Sequence, residues 1–129
     1  MRKVGTVADM LPLKDELPEE VYQEALNIVT MLDEMFGEDR DIDLDDGGFV
    51  MIAHTAEDLE SFTEEHVPLD SDCLEYVDYV KTSSTPYLNA FYLVNEHEFG
   101  ISLFLPIDIA PNVLLKRAIQ EINENKAAS

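Results

Sequence analysis

The sequence predicts an α+β fold: an antiparallel sheet of about four strands, an N-terminal and a C-terminal helix packed on one face, and a short helix. Two long segments repeat apolar residues at three- and four-residue steps, the period of one helix face. The segments between them are short and rich in β-branched and aromatic residues, and short turns join the later ones, which favours antiparallel strands. Because 129 residues is the length of one domain, we predict a single domain over 1–129.

The N-terminal helix is predicted over residues 18–36, where apolar residues follow the helical period. Gly37 directly after it supplies a C-cap. Residues 1–17 show no period and are predicted to form a loosely ordered arm that Leu11 and Leu13 attach to the core.

A short buried strand and a short helix are predicted next. Residues 49–54 are apolar and follow two glycines, as a buried strand does. Thr55 and Asp58 then have the spacing of a helix N-cap, so a short helix is expected over 56–62.

Residues 74–81 satisfy two patterns. Apolar residues at three-residue steps favour a helix, whereas the content of Tyr and Val favours a strand. We predict a strand, because residues 82–86 (TSSTP) form a typical turn into another extended segment.

Two further strands and the C-terminal helix complete the fold. Residues 87–94 are apolar on both faces, as a central strand is, and residues 99–107 alternate until Pro106 marks an edge or an end. The C-terminal helix begins near Pro111.

The apolar content of the sheet exceeds what helices on one face would cover. Residues 87–94 are apolar on both sides, and Phe104 lies on the outer face of the neighbouring strand. We therefore expect apolar contact across the far face, such as a homodimer through the sheet.

The charge excludes two classes of partner. The chain has 8 Lys and Arg against 28 Asp and Glu, a formal net charge of −20. Direct binding to nucleic-acid phosphates requires a cationic surface, and an anionic membrane repels such a chain. We expect neither ligand.

The compartment is predicted from the single cysteine and from hydropathy. Cys73 has no second cysteine with which to form an internal disulfide, which fits a reducing compartment. The N-terminus begins with Arg2 and Lys3 like a signal peptide, but Asp9 and Pro12 interrupt its apolar part. We predict a cytoplasmic protein.

The negative charge is concentrated in one stretch. Residues 33–78 contain 17 acidic residues and one base, Arg40. Such a stretch is either a solvated surface that maintains solubility or a binding surface for a cationic partner. Our leading hypothesis is a small non-catalytic interaction module that binds a basic protein partner, of the inhibitor, immunity-factor or nucleic-acid-mimic type.

The candidate partner-binding residues form two groups. The first is the acidic loop (residues 38–46), with Asp39, Asp41, Asp43, Asp45 and Asp46. The second is the short helix and the residues after it, with Glu57, Asp58, Glu60, Glu64 and Glu65.

The alternative function uses the acidic loop as a metal site. Asp41, Asp43 and Asp45 have the spacing of the first half of an EF-hand loop, but Asp46 stands where that motif needs Gly and Ile52 where it needs Glu. The alternative is therefore a metal-dependent enzyme or divalent-cation-binding domain with these three aspartates as ligands. The sequence has no G-x-S-x-G elbow or glycine-rich phosphate loop, so no catalytic residue and no other cofactor are predicted.

Overall fold

Five strands form one mixed sheet in the computed structural model, which describes residues 2–37, 48–94 and 99–128, without the side chains of Arg2, Phe99 and 124–128. The strands are β1 (Arg2–Val4), β2 (Gly48–Ile52), β3 (Leu74–Val80), β4 (Tyr87–Val94) and β5 (Phe99–Pro106). Their order across the sheet is β1-β2-β5-β4-β3. β2 and β5 are parallel, and the other neighbouring pairs are antiparallel.

Helices flank this sheet on both sides. They are α1 (Val7–Met10), a 3₁₀ turn (Leu11–Leu13), α2 (Glu19–Phe36), α3 (Ala56–Glu65), a second 3₁₀ turn (Ile107–Ile109) and α4 (Asn112–Ala128). Within the described ranges, none of these helices is long and apolar enough to cross a membrane.

The predicted α+β class is confirmed, while the arrangement differs from the expectation in three respects. The described residues form five strands rather than about four, one pair of strands is parallel, and α2 and α4 pack on opposite faces rather than on one. The physical reason is that β2, β4 and β5 are buried on both sides, so each face of the sheet needs its own helix.

One face of the sheet is covered by α2. Its residues Val21, Val29 and Leu32 are fully buried, and they share an apolar cluster with Val50 of β2 and Phe104 of β5. This contact accounts within one chain for the apolar surface that motivated a homodimer through the sheet. The sheet face under α2 is inaccessible to a second copy.

Residues 2–17 of the expected arm (residues 1–17) are part of this same layer. β1 pairs with β2, and Met10 and Leu13 are fully buried, whereas Leu11 is exposed. Thr6 starts α1 through a capping box. Each element of this segment is too short to show a period, although Val4, Met10, Leu13 and Leu17 are buried in the core.

The opposite face is covered by α3 and α4. Leu59 and Phe62 of α3 and Leu114 of α4 pack against the sheet together with Phe49 and Tyr92. The buried Tyr92 hydroxyl donates a hydrogen bond of 2.8 Å to the Leu69 carbonyl, which ties the loop before β3 to the sheet. Burial raises the pKa of this phenol.

The ambiguous segment is a strand, as predicted. β3 pairs antiparallel with β4 in a register that places Val77 opposite Ala90 and Val80 opposite Tyr87. Tyr76 stacks on Phe91 with 5.3 Å between ring centroids, on the α2 side of the sheet. Val77 packs on the α4 side.

The parallel pair begins at a close approach of two glycines. Gly48 has φ +128°, and a Cβ atom there would lie 2.3 Å from the Gly100 carbonyl oxygen. A side chain at Gly48 would therefore push β2 away from β5.

A polar pair is buried between the sheet and α2. The Ser102 hydroxyl donates to Asn89 Oδ1, and both residues are fully buried on the two central strands β5 and β4. Asn89 Nδ2 has no hydrogen-bond partner among the described residues. Asn89 therefore places an unsatisfied donor in an apolar layer, which costs stability.

Candidate functional site

The structure describes one of the two groups of expected partner-binding residues. The acidic loop, with Asp39, Asp41, Asp43, Asp45 and Asp46, lies outside the described residues, and so do the proposed metal ligands among them. In the described ranges, no group of three or more His, Cys, Asp or Glu side chains is arranged to hold a metal ion. The geometry of the candidate site is that of α3 and its surroundings.

α3 begins at the N-cap that the sequence predicted, and the structure shows that Thr55 and Asp58 form a reciprocal capping box there. Thr55 Oγ1 accepts a hydrogen bond of 3.2 Å from the Asp58 N–H. The Asp58 carboxylate in turn accepts bonds from the backbone N–H of His54 at 2.8 Å and of Thr55 at 3.3 Å. These bonds satisfy donors that the start of a helix leaves without intrahelical partners.

The cap determines the electrostatics of Asp58. The hydrogen bond from the His54 N–H is the main cause that holds the pKa of Asp58 below its ordinary value. The carboxylate is therefore ionised and oriented by the backbone. Asp58 has a structural role at the start of α3, in addition to the partner-binding role expected from its charge.

The other carboxylates of α3 are exposed to solvent. They are Glu57, Glu60, Glu64 and Glu65. Leu59 and Phe62, between them in sequence, are 6% and 0% exposed and anchor the helix to the sheet. The helical period thus separates an apolar inner face from an acidic outer face that contains no Lys or Arg.

The end of α3 is held by aromatic contacts. The ring of His66 lies 5.1 Å from that of Phe49 and 5.4 Å from that of Phe62, measured between centroids. His66 Nε2 is 4.0 Å from Glu65 Oε2, and Lys3 Nζ is 4.2 Å from the Phe49 ring centroid. Sequence reasoning missed this cluster because its members come from β1, β2 and α3.

An apolar groove runs beside the acidic face of α3. It has a volume of about 440 Å³. Its lining consists of Ala56, Leu59, Glu60, Thr63, Glu64, Leu69, Ile109 and Pro111. Two of the expected partner-binding residues, Glu60 and Glu64, therefore stand at the rim of an apolar depression.

The far wall of the groove was not found from the sequence. Leu69 comes from the loop before β3, and Ile109 and Pro111 come from the segment between β5 and α4. Only the packing of α3 and α4 on the same face brings them together. The signal in the sequence was weak: apolar residues in segments with no helix or strand period.

The arrangement is suited to recognition. A cationic side chain on a partner can meet Glu60 and Glu64 while an apolar neighbour enters the groove. Comparison of the chain with protein families, with curated proteins and with solved structures finds no match.

Proposed function

We propose that the protein is a small non-catalytic interaction module whose acidic α3 surface binds a basic protein partner. The observation that carries the proposal is the apolar groove whose rim bears Glu60 and Glu64. Charge alone would be compatible with a solubility device, but an apolar depression directly beside exposed carboxylates provides area to desolvate as well as charge to pair.

The charge of the whole chain supports the same proposal. A body of net charge −20 attracts cationic surfaces over a Debye length and repels anionic ones. Complementary fields of this kind accelerate encounter and suppress wrong partners. Direct binding to nucleic acid or to an anionic membrane is not part of the proposed function.

The proposed partner is a protein with a basic patch that itself contacts anions. A nuclease, another nucleic-acid-binding protein or a toxin has such a patch, and the module would act as its inhibitor, immunity factor or nucleic-acid mimic. We propose the cytoplasm as the compartment, because Cys73 has no cysteine partner in this chain. The alternative function, divalent-cation binding, depends on the aspartates of the acidic loop. The proposed partner binding depends on α3 alone and is independent of that alternative.

The test combines capture with kinetics. A partner captured from lysate at low salt is identified, and its association and dissociation rates are measured against the wild type and against Glu60→Gln/Glu64→Gln. We expect the double variant to associate several-fold more slowly, with a flatter dependence on salt and little change in dissociation. Asp15→Asn/Glu34→Gln is the matched control. Both residues are exposed and lie outside the α3 surface, and the two substitutions remove the same amount of charge.

A second variant separates the groove from its rim. Ile109→Ala leaves all charges in place and shortens one wall of the groove. We expect faster dissociation with an unchanged association rate. If the control pair slows association as much as the α3 pair, and Ile109→Ala leaves dissociation unchanged, the α3 surface is only a solubility device.

A further inference from the structure

β3 is an edge strand whose outer side is partly occupied by α4. Val77 donates its backbone N–H to Glu121 Oε2 at 2.8 Å, and the Glu75 carbonyl accepts a bond of 2.9 Å from Arg117 Nη2. Arg117 Nε also binds Glu121 Oε1 at 2.9 Å, which fixes both side chains along the strand. The first half of the edge is thereby closed to a further strand.

Among the described residues, nothing pairs with the second half of the edge. In an antiparallel pair the backbone groups of alternate residues point away from the partner strand, so the N–H and C=O of Tyr79 point outward like those of Val77. In the described part of the chain, no hydrogen bond is found to these two groups of Tyr79. The Tyr79 side chain itself is 44% exposed.

A groove of about 980 Å³ runs along this open edge. On the α2 side it is lined by Glu20, Glu24 and Asp78. On the α4 side it is lined by Ile122, by Tyr79, which shares the face of Val77, and by Glu121, whose carboxylate is already bound to the Val77 N–H and to Arg117. The carboxylates on the α2 side therefore face apolar side chains of Tyr79 and Ile122 on the other side, and Lys81 is the base among the described lining residues.

We propose that this edge is a docking site for an extended segment of a basic protein, which adds to β3 as a further strand. Backbone bonds to Tyr79 hold the segment. Side chains of a strand alternate between two faces. Lys or Arg at every second position of the segment would therefore face Glu20, Glu24 and Asp78. The apolar residues between them would face Tyr79 and Ile122. The site is separate from the α3 surface and does not depend on it.

The negative charge along this edge favours a basic segment over a second copy of the chain as the occupant. Two β3 edges paired with each other would bring Glu24, Asp78 and Glu121 of one copy against the same residues of the other. Burial, Glu121 and Glu24 already raise the pKa of Asp78 within one copy, so further carboxylates would oppose pairing. A cationic segment relieves that repulsion.

The probe is a capped ten-residue peptide in which Lys and Val alternate. We expect it to shift and protect the Tyr79 amide in two-dimensional NMR at low salt. Two control peptides carry the same residues: one has all Lys before all Val, and the other has N-methyl groups on alternate amides. We expect both to bind at least about tenfold more weakly. The first peptide no longer places Lys on one face and Val on the other, and the second lacks the N–H groups for backbone hydrogen bonds.

Variants locate the effect on the protein. Glu24→Gln/Asp78→Asn is expected to weaken binding of the alternating peptide about tenfold, whereas Glu60→Gln/Glu64→Gln and Asp15→Asn/Glu34→Gln leave it within about twofold. Equal binding of the N-methylated peptide, or shifts at α3 amides in place of Tyr79, overturns the proposal. A dimer of the chain alone in sedimentation, with the Tyr79 amide protected, overturns the choice of occupant.

Discussion

The start of α3 and the edge of β3 both carry aspartates, yet the two environments act on the negative charge in opposite directions. Asp58 accepts backbone N–H bonds, and its pKa lies below the ordinary value of 3.8. Asp78 is partly desolvated and faces Glu121 and Glu24, and its pKa lies above that value. Folding therefore favours the ionised form of Asp58 and disfavours that of Asp78.

The difference shows that net charge is a poor guide to the cost of an acidic surface. A carboxylate that replaces missing backbone partners stabilises the element it caps, while one placed among other carboxylates raises the free energy of the folded state. At the β3 edge, Glu121 belongs to both categories, because it binds a backbone N–H and Arg117 while adding to the field at Asp78.

The largest effect is expected for Glu121→Ala. The variant removes the partner of the Val77 N–H and of Arg117, and we expect the free energy of unfolding to fall by about 2 kcal/mol. Urea denaturation measures the change. Asn123→Ala on the exposed side of the same helix is the control, and Glu121→Gln, which keeps an acceptor oxygen, is expected to lose less. A loss no greater than that of the control would show that the edge cap contributes nothing.

A smaller loss is expected for Asp58→Asn. The amide oxygen can still accept a hydrogen bond, but the charge at the start of α3 is gone, and we expect a loss of about 0.5 kcal/mol at neutral pH. Because the folded pKa is lowered, this contribution is present above the unfolded pKa and disappears as pH falls through the folded value. The two proteins should thus converge in stability in acid. Glu57→Gln, one residue earlier on the exposed face, should change stability less.

The smallest effect is expected for Asp78→Asn, and its sign is opposite. Since the folded pKa of Asp78 is raised, its ionised form opposes folding, and the opposition is relieved as pH falls through the raised value. After allowance for solvent screening we expect a gain of roughly 0.3 kcal/mol at neutral pH. Tyr76 beside it has its pKa raised to about 12 by burial first and by Asp78 next.

Repulsion among crowded carboxylates such as Asp78 also predicts how the thermal stability of the wild type changes with pH at low salt. Thermal stability should rise as pH falls from about 7 to about 5, and it should rise less in Asp78→Asn. Melting midpoints measured across this range provide the check. A flat or falling midpoint for the wild type would mean that capped carboxylates such as Asp58 outweigh crowded ones such as Asp78.

Much of the local structure was predictable because its signals lie close together in the chain. Each of these signals is a pattern within a few residues: the helical period of α2 with Gly37 as its cap, the spacing of Thr55 and Asp58 at the start of α3, and the alternation of β5. Gly37 indeed has φ +96° and donates to the Asp33 carbonyl at 2.9 Å. Tertiary packing did not override any of these elements.

The arrangement of the layers was harder to predict. The apolarity of residues 87–94 predicts that both sides of this strand are covered, and the sequence favours a second copy for one of them. In the structure α2 covers one side, and α3 and α4 cover the other. β1 has three residues, too few to show alternation, and the parallel pairing of β2 with β5 joins segments that no short turn connects. Both contacts are settled by packing between distant parts of the chain.

The candidate surfaces show the same limit. The exposed glutamates of α3 were predicted from their period, but the groove beside them required Leu69, Ile109 and Pro111 from two other segments. Arg117 and Glu121 have the four-residue spacing of a helical ion pair, and nothing in that spacing shows that they reach the backbone of β3.

The parallel contact between β2 and β5 has a consequence for the order in which the chain folds. Strands β3, β4 and β5 follow one another through short connections, and α4 continues directly from them, so this half can assemble from local contacts. Pairing Gly48 with Gly100 instead joins residues that are 52 positions apart in the sequence, and the entropy cost of closing this loop comes before the contact stabilises the fold. Docking of β2, with β1 and α2 attached to it, should thus be the late and slow step, and until then the inner edge of β5 is exposed to pairing with other chains.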